Sequence, residues 1–346
     1  MKNKLSTVGI EITNLCNLNC IHCYQGEISK INHMTLKQIE HVIDKVIECK
    51  PLYIVLSGGE PFLHPNIDEI LKLLGEKYKN DIFFIATNGT VISKKHADLI
   101  EKYTNIHIQI SLDGANAKTH ESQHSKNTFK IVKNTIFSLC KSIGKRLSIQ
   151  MTISQTNYND VISVANLAMS LNIQPRFQFV CMVGNAEKNK AVLEMTPLQK
   201  AMTYVKLNNF SKEHPNLNLT APKSLLSCSF ANGNTPISLN IDTNGDITTC
   251  TCLNKKDYNI GNIFKHEIDD IINSPKINLL KDKVLHRIEL LSNGICKDCF
   301  VNFRCEQGCI GRAIQLGNEN GLDGECEFRK ALFILNHGIK AAKNGL

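Results

Sequence analysis

At 346 residues, the chain is long enough for a large catalytic domain with a smaller module attached. Its 42% hydrophobic and 21% charged residues are typical of a globular protein and exclude a disordered or a membrane chain. The formal net charge of +8 arises from 40 basic residues dispersed among 32 acidic ones, which argues against a nucleic-acid partner.

The cysteine content and the expected compartment together indicate bound metal. Residues 1–4 lead almost directly into an apolar segment without a secretory signal pattern, so we expect a cytoplasmic protein with no membrane partner. The cytoplasm is reducing, and the fourteen cysteines include tightly spaced groups. Metal binding is therefore favoured over disulfides.

The first half of the chain alternates short apolar segments with amphipathic ones. Six β-branched runs are predicted to be strands of a parallel sheet: residues 8–12, 52–56, 82–85, 106–110, 147–153 and 175–180. Residues 35–49 are predicted to be a helix that opens with a Thr35–Gln38 capping box. Thr196 and Pro197 predict the start of the last helix of this region. The order predicts an α/β fold, a partial (β/α)6 TIM-like barrel.

Small and polar residues gather where the first four predicted strands end. They are Cys16, Cys20 and Cys23 after the first strand, Gly58, Gly59 and Glu60 after the second, Thr87 and Asn88 after the third, and Ser111 and Asp113 after the fourth. In βα-barrels the carboxyl ends of the strands build the active site, because the loops there converge on the barrel mouth. We therefore predict one functional site at this face.

The spacing Cys16-x3-Cys20-x2-Cys23 predicts an iron–sulfur cluster. Three thiolates can bind three irons of a cubane and leave the fourth iron open to the amine and carboxylate of another molecule. Structural zinc is the alternative, but it usually takes four protein ligands, and only three cysteines are near one another.

This pattern resembles the signature of the radical S-adenosylmethionine superfamily, in which CxxxCxxC ends beside an aromatic residue, here Tyr24. The Gly-Gly-Glu-Pro segment that begins at Gly58 resembles it too, and the resemblance spans residues 8–180. It implies that a reduced [4Fe-4S] cluster cleaves S-adenosylmethionine to a 5′-deoxyadenosyl radical, which abstracts hydrogen from a substrate.

Contacts with the cofactor are expected from the strand ends. Gly58 and Gly59 lack a Cβ, so their backbone can approach the methionine part of the cofactor closely. Ser111 and Asp113 are expected to bind the ribose, with a plain strand-end turn as the alternative. Tyr24 is expected beside the cluster or the adenine. The other expected cofactor-binding residues are Glu60, Thr87 and Asn88.

The C-terminal third carries a second cysteine pattern. Residues 237–241 and a turn built on Asn244-Gly245 predict a hairpin whose returning strand reaches Cys250. A compact run and a last cysteine follow: Cys296-x2-Cys299-x5-Cys305-x3-Cys309, then Cys326. A Gly-x4-Cys hairpin before C-x2-C-x5-C-x3-C resembles the cysteine-rich SPASM domain.

The SPASM resemblance implies two auxiliary [4Fe-4S] clusters. The ligand sets would be Cys228, Cys250 and Cys309 for the first cluster, and Cys296, Cys299, Cys305 and Cys326 for the second. Cys252 is the expected fourth ligand of the first cluster, unless that iron stays open to substrate. A structural zinc knuckle is the alternative for this region.

Cys181 follows the sixth predicted strand, from which it can reach the barrel mouth. A thiol in that position is a candidate hydrogen-atom donor to a substrate radical. Packing in the core, where cysteine is common, is the alternative.

SPASM proteins mostly modify ribosomal peptides or proteins, and we expect this function here: a thioether or carbon–carbon crosslink, or an oxidation. A reductant such as flavodoxin or ferredoxin is an expected partner. Thr251 replaces the acidic residue that follows the hairpin cysteine in sulfatase-maturing relatives, which argues against formylglycine formation. Strand one starts near Val8, so any recognition of a leader peptide is expected from a separate protein or from a surface of the barrel.

Three alternatives remain at this point: maturation of a redox cofactor or tetrapyrrole, peptide epimerisation, and a non-catalytic iron–sulfur electron carrier. The expected domains are the barrel at residues 1–213, the SPASM domain at 214–330 and a helix or tail at 331–346. A carrier would not need Gly58, Gly59 and Glu60 beside an incomplete cysteine set.

Overall fold

The computed structural model describes residues 5–220, 228, 230, 237–253 and 256–343. The expectations for residues 1–4 and for the last three residues lie outside these ranges. The strands are β1 (Leu5–Thr13), β2 (Tyr53–Gly58), β3 (Phe83–Thr87), β4 (Ile106–Ser111), β5 (Leu147–Ile153), β6 (Gln174–Phe179), β7 (Ile237–Ile241), β8 (Asp246–Thr248) and β9 (Gly261–Asn262).

Thirteen α-helices are found among the described residues. They are α1 (Leu36–Glu48), α2 (Ile67–Glu76), α3 (Lys94–Lys102), α4 (Ala117–His120), α5 (Phe129–Ile143), α6 (Val161–Ser170), α7 (Asn185–Lys188), α8 (Lys190–Leu193), α9 (Pro197–Glu213), α10 (Ile268–Ile272), α11 (Pro275–Asn293), α12 (Ile310–Gln315) and α13 (Cys326–Lys343). None of the described helices has the length and apolar character needed to cross a bilayer.

The described strands form one sheet in the order β6-β5-β4-β3-β2-β1-β7-β8-β9. Strands β1 to β6 are parallel neighbours joined through helices, which confirms the predicted partial barrel. Alternate residues of β1, such as Val8 and Ile10, are fully buried. α1 buries Ile39, Val42 and Val46 in the same core, as expected for an amphipathic helix over a parallel sheet.

Both predicted N-terminal helix caps are confirmed. The Thr35 side chain accepts a hydrogen bond from the N–H of Gln38, and the Gln38 side chain bonds back to Thr35. Thr196 and Gln199 form the same reciprocal pair at the start of α9. Each pair satisfies N–H groups that have no partner within the helix, so these two helices begin where local sequence predicts.

The C-terminal hairpin continues the barrel sheet. β7 runs parallel to β1, with Val8 opposite Leu239 and Ile10 opposite Ile241, and β8 returns antiparallel to β7. Burial of these apolar side chains explains why β7 occupies the open edge of β1. β8 ends at Thr248, short of the predicted end at Cys250, because the chain turns there into a 3-10 helix (Thr251–Leu253).

The end of the chain is anchored on the barrel. α13 packs against α9, and the buried Lys200 Nζ of α9 lies 2.6 Å from Oε1 of Glu325, just before α13. Arg312 contacts the same oxygen. α13 begins at Cys326, the last predicted cluster ligand, and continues to Lys343. The residues from 331 onward, expected to form a separate helix or tail, therefore continue the helix that Cys326 begins.

Candidate active site

The N-terminal cysteines lie in the loop between β1 and α1, and all three are free, half-buried thiols. The N–H of Leu18 donates to Cys16 Sγ at 3.4 Å. Burial raises the pKa of the Cys16 thiol to about 11, and the nearby Cys20 and Cys23 raise it further. The hydrogen bond from the N–H of Leu18 partly opposes this rise. Cationic iron relieves the cost of placing several thiolates together, so the donor set fits a cluster.

Gly58 and Gly59 make room for the cysteine loop. The N–H of Gly59 donates to Thr13 O at 2.8 Å, and the N–H of Glu60 donates to Leu15 O at 2.7 Å. A Cβ on Gly58 would lie 1.9 Å from Thr13 O, and one on Gly59 would lie 2.3 Å from Leu15 O. The missing side chains therefore admit the chain that leads into Cys16. That the backbone of Gly58 and Gly59 contacts the methionine part of the cofactor stays a prediction.

The Gly58→Ala variant is expected to be destabilised by more than about 3 kcal/mol. Its Cβ would meet backbone, and φ is +133°. Gly317→Ala is the matched control, because Gly317 also has a positive φ, +73°, but open space around the added Cβ. We expect it to cost only about 1 kcal/mol. Urea unfolding of both variants measures the difference, and equal losses would argue against the clash.

Glu60 connects the ends of β2 and β3. Its side chain is fully buried, and Oε1 accepts hydrogen bonds from Thr87 Oγ1 at 2.8 Å and from the N–H of Phe62 at 3.0 Å. Oε2 accepts from the N–H of Asn88 at 2.7 Å. Burial raises the pKa of Glu60, and the three donors oppose the rise. Both carboxylate oxygens of Glu60 therefore already accept hydrogen bonds from the protein. Any contact between this segment and the cofactor would have to come from its backbone.

Asn88 faces the cysteine loop directly. Its amide Nδ2 donates to Asn17 Oδ1 at 3.0 Å and lies 3.9 Å from Cys16 Sγ. Thr90 Oγ1 donates to Asn88 Oδ1 at 2.6 Å, which fixes the orientation of the amide. The ends of β2 and β3 therefore meet beside Cys16, where Glu60 holds the backbone of Asn88 in place.

Asp113 is buried in a histidine network. His124 Nε2 lies 2.8 Å and His22 Nε2 lies 3.3 Å from Asp113 Oδ2, while the N–H of Thr152 donates to Oδ1 at 2.7 Å. Burial would raise the pKa of Asp113, but the two imidazoles outweigh it and lower that pKa to about 2. The carboxylate is 1% exposed and engaged on both oxygens, unlike the open strand-end group expected to bind a ribose. Ser111 is half-buried at the end of β4.

The network continues to the cysteine loop, since His124 Nδ1 lies 3.1 Å from Cys20 Sγ. Burial would lower the pKa of His124, but Asp113 and the Cys20 contact raise it to about 10. A protonated His124 donates from both ring nitrogens, to the carboxylate and to the sulfur. His22 and His124 were missed at the sequence level. Only the position of His22 inside the cysteine motif could have indicated its role.

The start of α7 contacts the cysteine loop from the other side. The N–H of Asn185 donates to Cys23 O at 2.8 Å, and Asn185 Nδ2 donates to Cys20 O at 3.2 Å. Tyr24 Oη donates to Glu11 Oε1 at 2.7 Å, so the ring beside the third cysteine is held in place. The sequence did not indicate Glu11 or Asn185, because neither lies in a recognisable motif.

The first C-terminal cysteine set surrounds a cavity of about 280 Å³. Cys228, Cys250, Cys252 and Cys309 line it, together with Cys181 from the loop after β6. The structure thus brings the predicted ligands of one auxiliary cluster together and adds the thiol expected to act as a hydrogen donor.

The second C-terminal set lies at the start of α13. Burial raises the pKa of the Cys296 thiol, and the neighbouring thiols of Cys326, Cys305 and Cys299 raise it further. The Arg329 guanidinium binds the two oxygens of Asp323 at 2.9 and 2.6 Å, and its NH2 lies 3.7 Å from Cys326 Sγ. The positive charge of Arg329 at this position would stabilise a set of cysteine thiolates.

A larger cavity of about 550 Å³ separates the N-terminal cysteine loop from the hairpin. Its lining is polar and includes Glu11, Tyr24, Asp242 and Thr251. A smaller cavity of about 230 Å³ runs from Tyr24 to Cys252. The two cavities share Tyr24, Gln25 and Thr251 in their linings, so they lie side by side between the third N-terminal cysteine and the first C-terminal set.

Two family profiles match the chain. The profile described as the Radical SAM superfamily matches residues 10–168, and the SPASM profile, described as an iron–sulfur cluster-binding domain, matches residues 234–300. The first covers the cysteine loop and strands β1 to β5, and the second covers the hairpin and the cysteines that follow it, up to Cys299.

Curated relatives are similar over much of the chain. The antilisterial bacteriocin subtilosin biosynthesis protein AlbA of Bacillus subtilis (strain 168) is 26% identical over 285 residues, which are 78% of this chain and 60% of AlbA. Mycofactocin maturase MftC of Mycobacterium tuberculosis is 24% identical over 330 residues, 91% of this chain and 81% of MftC. The chain spans between about half and three fifths of the length of the first three curated relatives.

A solved structure shares the fold. Streptococcus suis SuiB bound to precursor peptide SuiA matches with a TM-score of 0.75 at 17% identity, over 94% of this chain and 76% of SuiB. The cofactors that go with these domains are S-adenosylmethionine and [4Fe-4S] clusters, and the cysteine sets described above fit them. The parallel barrel, the cysteine loop at its mouth and the two matching profiles lead to one conclusion. The chain belongs to the radical S-adenosylmethionine superfamily and carries a SPASM domain.

Proposed function

We propose that this protein is an enzyme that abstracts hydrogen from a peptide or protein and thereby installs a thioether or carbon–carbon crosslink, or an oxidation. The observation that carries the proposal is the polar cavity between the N-terminal cysteine loop and the hairpin, next to a smaller cavity that reaches Cys252. A bacteriocin biosynthesis protein and a maturase among the relatives, and the precursor peptide bound to SuiB, support a peptide substrate.

The residues of this chain have separate tasks in the proposed reaction. When bound, the [4Fe-4S] cluster and S-adenosylmethionine supply a 5′-deoxyadenosyl radical. Cys16, Cys20 and Cys23 would hold that cluster, and Asn88, fixed by Glu60, keeps the loop around Cys16 in position. The C-terminal cysteine sets would hold two auxiliary clusters that accept the electron left after hydrogen abstraction.

The lining of the cavity of about 550 Å³ supports a substrate rich in hydrogen-bond donors. Carboxylates of Glu11, Glu27, Asp242 and Asp246 line it, and Lys30 is the basic residue among its lining residues. Peptide N–H groups, hydroxyls and cationic side chains complement such a surface. A polar or basic peptide segment would therefore bind here with the reacting carbon near Tyr24.

Two partners and a location complete the proposal. A reductant such as flavodoxin or ferredoxin would reduce the cluster, and a separate leader-binding protein would present the peptide. We place the enzyme in the cytoplasm, whose reducing conditions suit the fourteen cysteines, all of them described and outside any disulfide.

Anaerobic reconstitution tests the proposal. The protein is loaded with iron and sulfide, both are counted, and 5′-deoxyadenosine is measured after addition of dithionite and S-adenosylmethionine. We expect about twelve irons per chain, about eight in Cys16→Ala, and no cleavage in that variant. Cys140→Ala is the control, because its thiol contacts Leu171 O in the helical layer. Bound zinc without cleavage would contradict the proposal.

The mass of the product then distinguishes the reactions. With a short peptide encoded beside this gene as substrate, a crosslink or an oxidation removes two hydrogens. Epimerisation leaves the mass unchanged and, in deuterated solvent, incorporates deuterium at Cα. A modified tetrapyrrole in place of a modified peptide would contradict the proposed substrate class.

A further inference from the structure

Five thiols meet at the first auxiliary site, although a cubane cluster offers four ligand positions. Four belong to the C-terminal part of the chain, and the fifth, Cys181, follows β6 of the barrel. All five line the same cavity of about 280 Å³. The cavity therefore lies between the barrel and the SPASM domain.

Cys252 lies at the boundary of two cavities. It lines the cavity that all five cysteines surround and also the smaller cavity that leads to Tyr24. The electrostatic influence of Cys250 and Cys309 reaches Cys228, which accepts hydrogen bonds from the N–H groups of Phe230 and Ile310. Cys181 and Cys252 therefore both line the space that Cys228, Cys250 and Cys309 surround.

Both residues have well-held backbones. The N–H of Cys252 donates to Cys250 Sγ at 3.3 Å, and Cys252 O accepts from Gln315 Nε2 at 3.1 Å. Cys181 O accepts from the N–H of Val183 at 2.9 Å. A thiol on a fixed backbone moves by rotation about its Cα–Cβ bond, so either sulfur can approach the shared space without movement of the main chain.

We propose that Cys181 and Cys252 alternate as the fourth ligand of the first auxiliary cluster. This rests on the cluster assignment made under the proposed function. In the exchange, one iron–sulfur bond breaks as the other forms, and the proton of the incoming thiol passes to the departing thiolate, with no change in oxidation state. With Cys252 bound, the SPASM domain alone holds the cluster. With Cys181 bound, the cluster links that domain to the barrel.

The exchange also gives Cys181 a role different from hydrogen-atom donation. While Cys252 is the ligand, the Cys181 thiol stays beside the cluster at the wall of the cavity. While Cys181 is the ligand, the Cys252 thiol faces the smaller cavity that leads to Tyr24. Movement of one ligand would thus change which thiol is exposed toward the proposed substrate space.

The test uses protein in which Cys16, Cys20 and Cys23 are replaced by alanine, so that the remaining signals come from the auxiliary clusters. Cys181→Ala, Cys252→Ala and the double variant are added to this background, with Cys140→Ala as control. Iron is counted, and electron paramagnetic resonance of the reduced clusters is recorded with and without potassium cyanide, which binds an iron that lacks a thiolate.

We expect both single variants to retain about eight irons and a spectrum that cyanide does not change. The double variant should lose iron or show a cyanide-dependent spectrum. If one single variant alone became cyanide-sensitive, that residue would be the fixed ligand and exchange would be wrong. A double variant identical to the control would equally overturn the proposal. Serine variants repeat the comparison with a side chain closer in size, in case the alanine proteins fold poorly.

The outcome is separable from the proposed function. Iron content and spectra do not depend on cleavage of S-adenosylmethionine, so an inactive enzyme with normal auxiliary spectra would count against the proposed reaction only. A parent protein without auxiliary iron would overturn the cluster assignment and the exchange with it.

Discussion

The Glu60→Ala variant is expected to be destabilised by roughly 3–5 kcal/mol and to cleave S-adenosylmethionine at least about tenfold more slowly. The carboxylate accepts from Thr87 Oγ1 and from the backbone N–H groups of Phe62 and Asn88, and its side chain is fully buried. Alanine leaves all three donors without an acceptor. The loss also frees Asn88, which faces Cys16, so the effect should reach the cluster loop.

Anaerobic urea unfolding and 5′-deoxyadenosine formation measure the two effects. Glu60→Gln keeps the shape but turns an NH2 group toward at least one donor, so its loss should be smaller than that of alanine. Glu289→Ala, at an exposed position of α11, should change stability by less than about 0.5 kcal/mol. A Glu60→Ala protein as stable and active as this control would show that the buried bonds do not hold the site.

The His124→Leu variant is expected to lower the midpoint potential of the N-terminal cluster by on the order of 50 mV, or about 1 kcal/mol for one electron. A protonated His124 donates to Cys20 Sγ and stabilises the extra negative charge of the reduced cluster. Leucine fills most of the space but donates nothing. Asp113 keeps its contacts with His22 and the N–H of Thr152, so the fold should survive.

A redox titration followed by electron paramagnetic resonance measures this shift on the signal that is absent from Cys16→Ala. Asp113→Asn should give a smaller shift in the same direction, because His124 keeps its contact with sulfur but loses the carboxylate that raises its pKa. His286→Leu, at an exposed position of α11, is the control. An unchanged potential in His124→Leu, with iron still bound, would exclude a role for this hydrogen bond in reduction.

The buried histidine network illustrates what local patterns do not reveal. Asp113 was found because it follows a strand, and that placement is right. Its partners were missed because His22 and His124 are separated by 102 positions along the chain. They reach the same carboxylate only because the loop after α4 packs against the cysteine loop. Asp113 consequently lies in a buried network, and its expected contact with a ribose stays a prediction.

The sequence by itself determined the class of the protein. Alternating apolar segments, a capping box, a Thr-Pro helix start and the cysteine spacings are local features. Local geometry decides helices, strands and the thiols that can share one cluster. The barrel, the helix starts and the grouping of Cys16, Cys20 and Cys23 follow from them.

Only the tertiary structure decided how these parts meet. β7 of the hairpin pairs with β1 because that edge of the sheet was open. Local sequence patterns do not predict which strand will pair with an open edge. The glycines of β2 serve the approach of the cysteine loop, which is visible only when both segments are in place. The position of Cys181 among the C-terminal cysteines was likewise not predictable from local sequence. Contacts between segments that are distant in the chain depend on how the whole chain packs.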